Sequence, residues 1–129
     1  MEIVFDNPPN IKAIQQVLEI GDAKMIFCYG NVIYNPYKLE IADHLKIHEL
    51  VHSGQQGNNP EKWWERYLKD SEFRLNQELE AYQRQYDFAK QWIKDRNVLA
   101  RFLYQIANDL SSLYKVNISL GEAQKQIKC

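Results

Sequence analysis

The chain has 129 residues and a formal net charge of −1 at pH 7, with 16 lysines and arginines against 17 aspartates and glutamates. This length fits one domain, residues 1–129, with a modest core. The near-neutral charge without a basic block excludes nucleic acid as the expected partner. The cysteines Cys28 and Cys129 show no zinc-ribbon spacing and no disulfide framework, which fits a reducing compartment.

The N-terminal segment "MEIVFDNPPN" does not have the pattern of a secretory signal. It lacks a basic region, and Asp6 and a proline pair interrupt its apolar run. No apolar run approaches the length of a membrane span. We therefore expect a soluble, cytoplasmic protein with no membrane partner.

The first third of the chain predicts a strand, a helix and a hairpin in that order. "EIVF" is a short strand ended by a turn, and "IKAIQQVLEI" has its apolar residues at helical spacing before Gly21 and Asp22 end the helix. "AKMIFCY" and "VIYNPY" are β-prone, and Gly30 and Asn31 between them indicate a hairpin.

The remainder of the chain is predicted to be mainly helical. A helix is expected over 39–55, and another over "PEKWWERYLK" leads into a separate long helix. A further helix is expected over 97–114, followed by a closing helix capped by Ser119. The inward face of the long helix is predicted from a periodic stripe: Leu75, Leu79, Tyr82, Tyr86, Ala89 and Ile93. The fold class is α+β, with a small N-terminal sheet and a central helix before the helical C-terminal half.

The central helix carries all the histidines of the chain, His44, His48 and His52, in the stretch "HLKIHELVHSGQQG". Positions four apart rise by about 6 Å and rotate by only about 40°, so His48 and His52 can bind one ion. Glu49, about 100° around the helix from His48, is placed as a general base for a water on the metal, whose pKa zinc lowers to about 7. "HELVH" is thus the H-E-x-x-H zinc signature.

His44 is expected to be a packing residue or an indirect partner of the site. Three histidines on one helix would spread over about 12 Å, which one ion cannot bridge. No histidine follows His52, so the third zinc ligand should be a carboxylate from the long helix. Glu78 lies about 60° from the centre of the apolar stripe and Glu80 about 140° away, which favours Glu78 over the alternative Glu80.

These residues resemble the gluzincin branch of zinc metallopeptidases. His48, Glu49 and His52 match the zinc motif, and Glu78 with Ala81 matches the third-ligand pattern E-x-x-A. The size of the chain suggests the minimal members, the minigluzincins. The segments "NVIYNPYKLEIADHLKIHELVHSGQQ" and "WWERYLKDSEFRLNQELEAYQRQ" are similar to small metallopeptidases encoded by phages and prophages. The resemblance covers roughly residues 30–86 and implies a zincin-like fold.

The resemblance also implies a substrate-binding edge. In the family, the strand before the active-site helix is an exposed edge that holds an extended peptide, and "NVIYNPY" has that position here. Many gluzincins carry an acidic residue four positions after the glutamate ligand, where this chain has Tyr82. The residue that stabilises the oxyanion is left open, and its candidates are Tyr34, Tyr37, Tyr82 and Arg74.

The predicted function is a zinc metalloendopeptidase acting on a peptide or protein, cytoplasmic or virion-associated if phage-encoded. The alternative is a non-catalytic interaction module with a structural or vestigial zinc site. Structural sites normally have four protein ligands, and three are evident here, which favours catalysis. A zymogen-like form is a third, weaker alternative. Trp63 and Trp64 are expected to anchor a helix to the core, and Gln55 and Gln56 only to end the central helix.

Overall fold

The computed structural model describes all residues, 1–129, as a three-stranded sheet and six helices in an α+β arrangement. The elements are β1 (Glu2–Val4), α1 (Ile11–Leu18), β2 (Phe27–Tyr29), β3 (Val32–Tyr34), α2 (Asp43–Gln56), α3 (Pro60–Lys69), α4 (Ser71–Trp92), α5 (Arg96–Leu113) and α6 (Leu120–Lys128). The predicted order of strand, helix, hairpin and helices is confirmed. None of the helices is both long and apolar enough to cross a membrane.

The sheet has the order β1-β3-β2, with β1 parallel and β2 antiparallel to β3. Gly30 has a φ of 63° in the two-residue turn between β2 and β3, a conformation that glycine adopts without strain. The predicted hairpin is therefore confirmed. The prediction that "NVIYNPY" forms an exposed edge is wrong, because β3 pairs on both sides and the free edges belong to β1 and β2.

The central helix α2 begins at Asp43, four residues later than predicted. Asn35 is buried, and its side chain donates to the Leu39 carbonyl (2.9 Å) and accepts from the Leu39 N–H (3.0 Å). Lys38 between them has a φ of 53°. These local bonds hold the backbone in a turn and compete with helix formation before Ala42.

A single residue, Asp70, separates α3 from the long helix α4. Its side chain accepts from the N–H groups of Glu72 (3.1 Å) and Phe73 (3.0 Å), which caps the start of α4. Ser119 caps α6 in the same way, since its hydroxyl accepts from the Glu122 N–H (3.1 Å). The predicted cap at Ser119 is therefore confirmed.

The buried face of α4 is more polar than the predicted stripe. Arg74, Glu78 and Gln85 are buried, whereas Leu75 and Leu79 are only half-buried. The inward face is therefore rotated toward the polar residues, and Glu78 and Gln85 contact the histidines of α2. The main hydrophobic core includes residues of five helices: Ile14 of α1, Tyr67 of α3, Tyr82 and Tyr86 of α4, Ile106 and Leu110 of α5, and Ile127 of α6. This arrangement leaves a polar layer between α2 and α4.

Candidate metal centre

The polar layer brings together three side chains that could hold a metal ion: His48 and His52 of α2 and Glu78 of α4. Their donor atoms all lie within 4.8 Å of one another. The two Nε2 atoms are 3.1 Å apart, and each is 3.2 Å from Oε1 of Glu78. The three side chains are 3–5% exposed. Glu80 lies outside this cluster and is exposed.

The ring of His52 is oriented by Gln55. The Gln55 amide nitrogen donates to the Gln77 carbonyl (3.0 Å) and to Oε1 of Glu80 (2.7 Å), so its oxygen faces Nδ1 of His52 at 2.8 Å. Nδ1 is therefore the protonated nitrogen of a neutral His52, and Nε2 carries the lone pair. Gln55 therefore contacts a member of the cluster in addition to ending its helix.

The ring of His48 is oriented in the same way by Gln85 of α4. His48 Nδ1 donates to Gln85 Oε1 (2.9 Å), and Gln85 Nε2 donates to Nδ1 of His44 (2.9 Å). The edge of the His44 ring also packs against Phe102, with 4.8 Å between the ring centroids. His44 is thus a packing residue linked to the site through Gln85, as expected. Amide oxygens therefore accept from Nδ1 of both histidines.

With these hydrogen bonds in place, the centre of the cluster contains only hydrogen-bond acceptors. Two nitrogen lone pairs and a carboxylate oxygen converge, and no donor lies among them, so a cation is needed to hold them together. Burial alone would lower the pKa of His52, but Glu78 outweighs burial and raises that pKa to about 9. Burial acts to raise the pKa of Glu78, yet His52 and His48 hold it well below its usual value. Either a proton on His52 or a divalent cation supplies the positive charge that these acceptors need.

The ligand set fits zinc. Zinc accepts imidazole nitrogen and carboxylate oxygen, and three protein ligands leave a coordination position for another molecule. The second oxygen of Glu78 accepts from the Tyr67 hydroxyl (2.6 Å), which fixes the carboxylate in place. Burial, with a smaller contribution from the negative charge of Glu49, raises the pKa of Cys28 to about 12. Cys28 is not part of the cluster, and its thiol donates to the Gly30 carbonyl (3.4 Å).

Glu49 lies beside the cluster with an unsatisfied carboxylate. It is 4% exposed, and its Oε2 has no hydrogen-bond partner. Burial raises the pKa of Glu49, which His48 and His52 oppose and Glu78 reinforces. A cavity of about 30 Å³ lies against Glu49 and the three cluster residues, enough room for one water. Glu49 is therefore a buried base next to space for a small polar molecule.

A second cavity, of about 160 Å³, adjoins His48 and Glu49 on another side. It is bordered by the segment 24–26 before β2, by Tyr82 of α4, and by Asp109 and Tyr114 at the end of α5. Met25, Ile26 and Tyr114 line both cavities. The two cavities therefore adjoin each other, and we call the space that they occupy the cleft.

Tyr82 and Tyr114 form a hydroxyl pair in this cleft, with 2.7 Å between the two oxygens. Two hydroxyls carry two protons, and one bond between them uses one proton. The second proton has no acceptor in the protein, so the pair can donate one hydrogen bond to a molecule in the cleft. Among the oxyanion candidates, only Tyr82 lines this cavity.

The other three oxyanion candidates are placed elsewhere. Tyr37 is exposed, and Tyr34 lies in the central strand. The Arg74 guanidinium donates to the backbone carbonyls of Tyr67 (2.7 Å) and Tyr114 (2.6 Å), so it holds the chain rather than a substrate.

The tryptophans and Gln56 attach the helices to the hairpin. Trp63 and Trp64 are buried, and Trp64 Nε1 donates to the Cys28 carbonyl (3.1 Å), so their anchoring role is confirmed. Gln56 Nε2 donates to the same carbonyl (2.8 Å), and its Oε1 accepts from the Gly30 N–H. The end of α2 is thereby fixed to β2, and Gln56 does more than end its helix.

Sequence reasoning missed Tyr67, Gln85, Asp109 and Tyr114. Gln85 lies seven residues after Glu78 and so on the same helix face, a signal that the sequence contains. The others reach the site from α3 and α5, for which no local pattern exists.

No protein-family model, curated protein or solved structure matches this chain.

Proposed function

We propose that the chain is a zinc metallopeptidase of the gluzincin type with a zincin-like fold. His48, His52 and Glu78 hold the metal, and Glu49 acts as the general base. The observation that carries the proposal is the buried convergence of the three donor groups beside a carboxylate oxygen that has no partner. A carboxylate kept without partners next to a metal site has the position that proton transfer requires.

A bound zinc ion would supply a Lewis acid that polarises the scissile carbonyl and lowers the pKa of water to about 7. Glu49 takes the proton from the attacking water and later gives it to the leaving amine. Burial makes Glu49 a stronger base than an exposed glutamate, since it raises the pKa of the carboxyl group. The same burial keeps bulk water away from the transferred proton.

The Tyr82–Tyr114 pair is proposed to stabilise the charge that develops on the substrate carbonyl oxygen. The pair has one hydroxyl proton that no group of the protein accepts, and both tyrosines line a cavity that Glu49 also lines. A donor already held in place by a second tyrosine needs little reorganisation when the charge forms. This role replaces the open choice among four candidate residues.

The proposed peptide-binding edge is the segment 24–26, which leads into β2. The backbone groups of Met25 and Ile26 make no hydrogen bond within the protein, and both residues line both cavities. The Cys28 carbonyl already accepts from Gln56 and Trp64. An extended peptide would therefore pair with the residues before β2 rather than with β2 itself or with β3.

The test compares Glu49→Gln with Glu72→Gln, the same change at an exposed residue in the first turn of α4. Zinc content is measured by mass spectrometry, and hydrolysis is measured on a mixed peptide library. We expect about one zinc per chain in all three proteins, with kcat/KM lowered about 10²–10⁴-fold in Glu49→Gln alone. Full activity in Glu49→Gln would refute its role. Bound zinc without hydrolysis of any peptide by the wild type would favour a non-catalytic interaction module.

A further inference from the structure

The cleft contains a carboxylate that the proposed mechanism does not use. Asp109 lies on α5 and borders the 160 Å³ cavity together with Glu49. It is half-buried, and no hydrogen bond or ion pair within the protein reaches its carboxylate. A partly desolvated carboxylate without a partner favours the binding of a cation from outside.

The charges around this cavity favour a cationic ligand on the Asp109 side. Two basic side chains border the cavity, Lys24 and His48. Lys24 is exposed and forms no ion pair with Asp109, and the His48 ring is held by Gln85 and Glu78. Apolar side chains complete the walls, among them Leu39, Leu45 and Leu113. Such walls suit the methylene stem of a long basic side chain, with its charged end at the carboxylate.

We propose that Asp109 binds a cationic group of the substrate, an ammonium or a guanidinium, close to the scissile bond. The substrate class is then peptides with a basic residue, or with a free terminal amine, at the cleavage site. This inference rests on the proposed peptidase function, and it assigns Asp109 to specificity rather than to chemistry. The recognising contact is a charge-assisted hydrogen bond from the substrate to the carboxylate.

The first experiment uses the zinc-loaded protein and peptides that differ only in lysine against norleucine beside the cleaved bond. We expect the wild type to favour the lysine peptide about tenfold in kcat/KM. Asp109→Asn should bring this ratio to about one, and Asp109→Glu should restore part of it. Asp87→Asn is the control, because it removes the same charge from an exposed position on α4 and should keep the wild-type ratio.

The second experiment measures binding without turnover. Lysine and norleucine peptides are titrated calorimetrically into zinc-loaded Glu49→Gln, with and without Asp109→Asn. We expect Asp109→Asn to weaken the Kd of the lysine peptide about tenfold and to leave little difference between the two peptides. Acetylation of the peptide amino terminus identifies the source of the cation. A weakening by Asp109→Asn that disappears on acetylation assigns the terminal amine, and a weakening that persists assigns the side chain.

The outcomes separate this inference from the proposed function. Hydrolysis of the lysine peptide with the same kcat/KM in wild type and Asp109→Asn would overturn the role of Asp109 and leave the peptidase standing. Absence of hydrolysis together with Asp109-dependent binding of the lysine peptide would overturn the peptidase and support the cation site. Binding that does not depend on Asp109, or no binding at all, would overturn the inference.

Discussion

Protein stripped of metal by a chelator should lose stability as the pH rises. Glu78 outweighs burial and raises the pKa of His52 from its usual value of about 6.5 to about 9. The folded protein therefore binds this proton more tightly than the unfolded chain does. The stabilisation is fully present below pH 6.5 and is lost as the pH rises through about 9. At about 1.4 kcal/mol per pH unit, the loss is about 3 kcal/mol in the free energy of unfolding.

The assay is urea unfolding with EDTA at pH 6 and pH 9.5, followed by tryptophan fluorescence, since Trp63 and Trp64 are buried in the folded protein. Glu78→Gln is the control, because it removes the carboxylate that raises the pKa. Its stability should change much less over the same range. With zinc present, the free energy of unfolding should instead rise with pH between about 5.5 and about 7.5, because the histidines must lose their protons to bind the metal. Equal losses in wild type and Glu78→Gln, or a gain in stability of the chelated wild type, would refute this account.

Two further substitutions test the support of the site. Gln85→Leu removes the acceptor for His48 Nδ1. We expect about 10–100-fold weaker zinc binding, measured in competition with a chromogenic chelator. Unchanged affinity would show that Gln85 does not orient the ring. Arg74→Met leaves buried carbonyls without a donor, and we expect a loss of about 3–5 kcal/mol in urea unfolding. Arg66→Met at an exposed position should cost about 1 kcal/mol or less, and similar losses in both variants would contradict the role of Arg74.

The site residues nearest in sequence were the most predictable. His48, Glu49 and His52 lie within one helical turn and a half, so helix geometry alone predicts that they share a region. Glu78 followed from the angular argument because Glu80, two residues later, falls on the solvent side of α4. The argument placed the centre of the buried face on leucines, however, whereas buried polar residues occupy it. Hydrophobic periodicity cannot identify a helix face whose buried residues are polar.

The errors came from non-local contacts and from one side chain. The edge strand was assigned wrongly because the order β1-β3-β2 depends on pairing between β1 and β3, which are far apart in the chain. The start of α2 was placed too early because Asn35 bonds its own neighbouring backbone. Asp109 of α5 and Tyr114 directly after it border the cleft. Their position there depends on how α5 packs, which the sequence alone does not reveal.

Arg74 has a consequence for how the protein matures. Its guanidinium joins the start of α4 to the Tyr114 and Lys115 carbonyls, some forty residues later in the chain. On the ribosome, the proposed metal ligands therefore emerge well before the segment around Tyr114 that borders the cleft. An ion can enter the half-built site from an open side, and completion of the chain then encloses it. Loading during synthesis should be faster than loading of the finished protein.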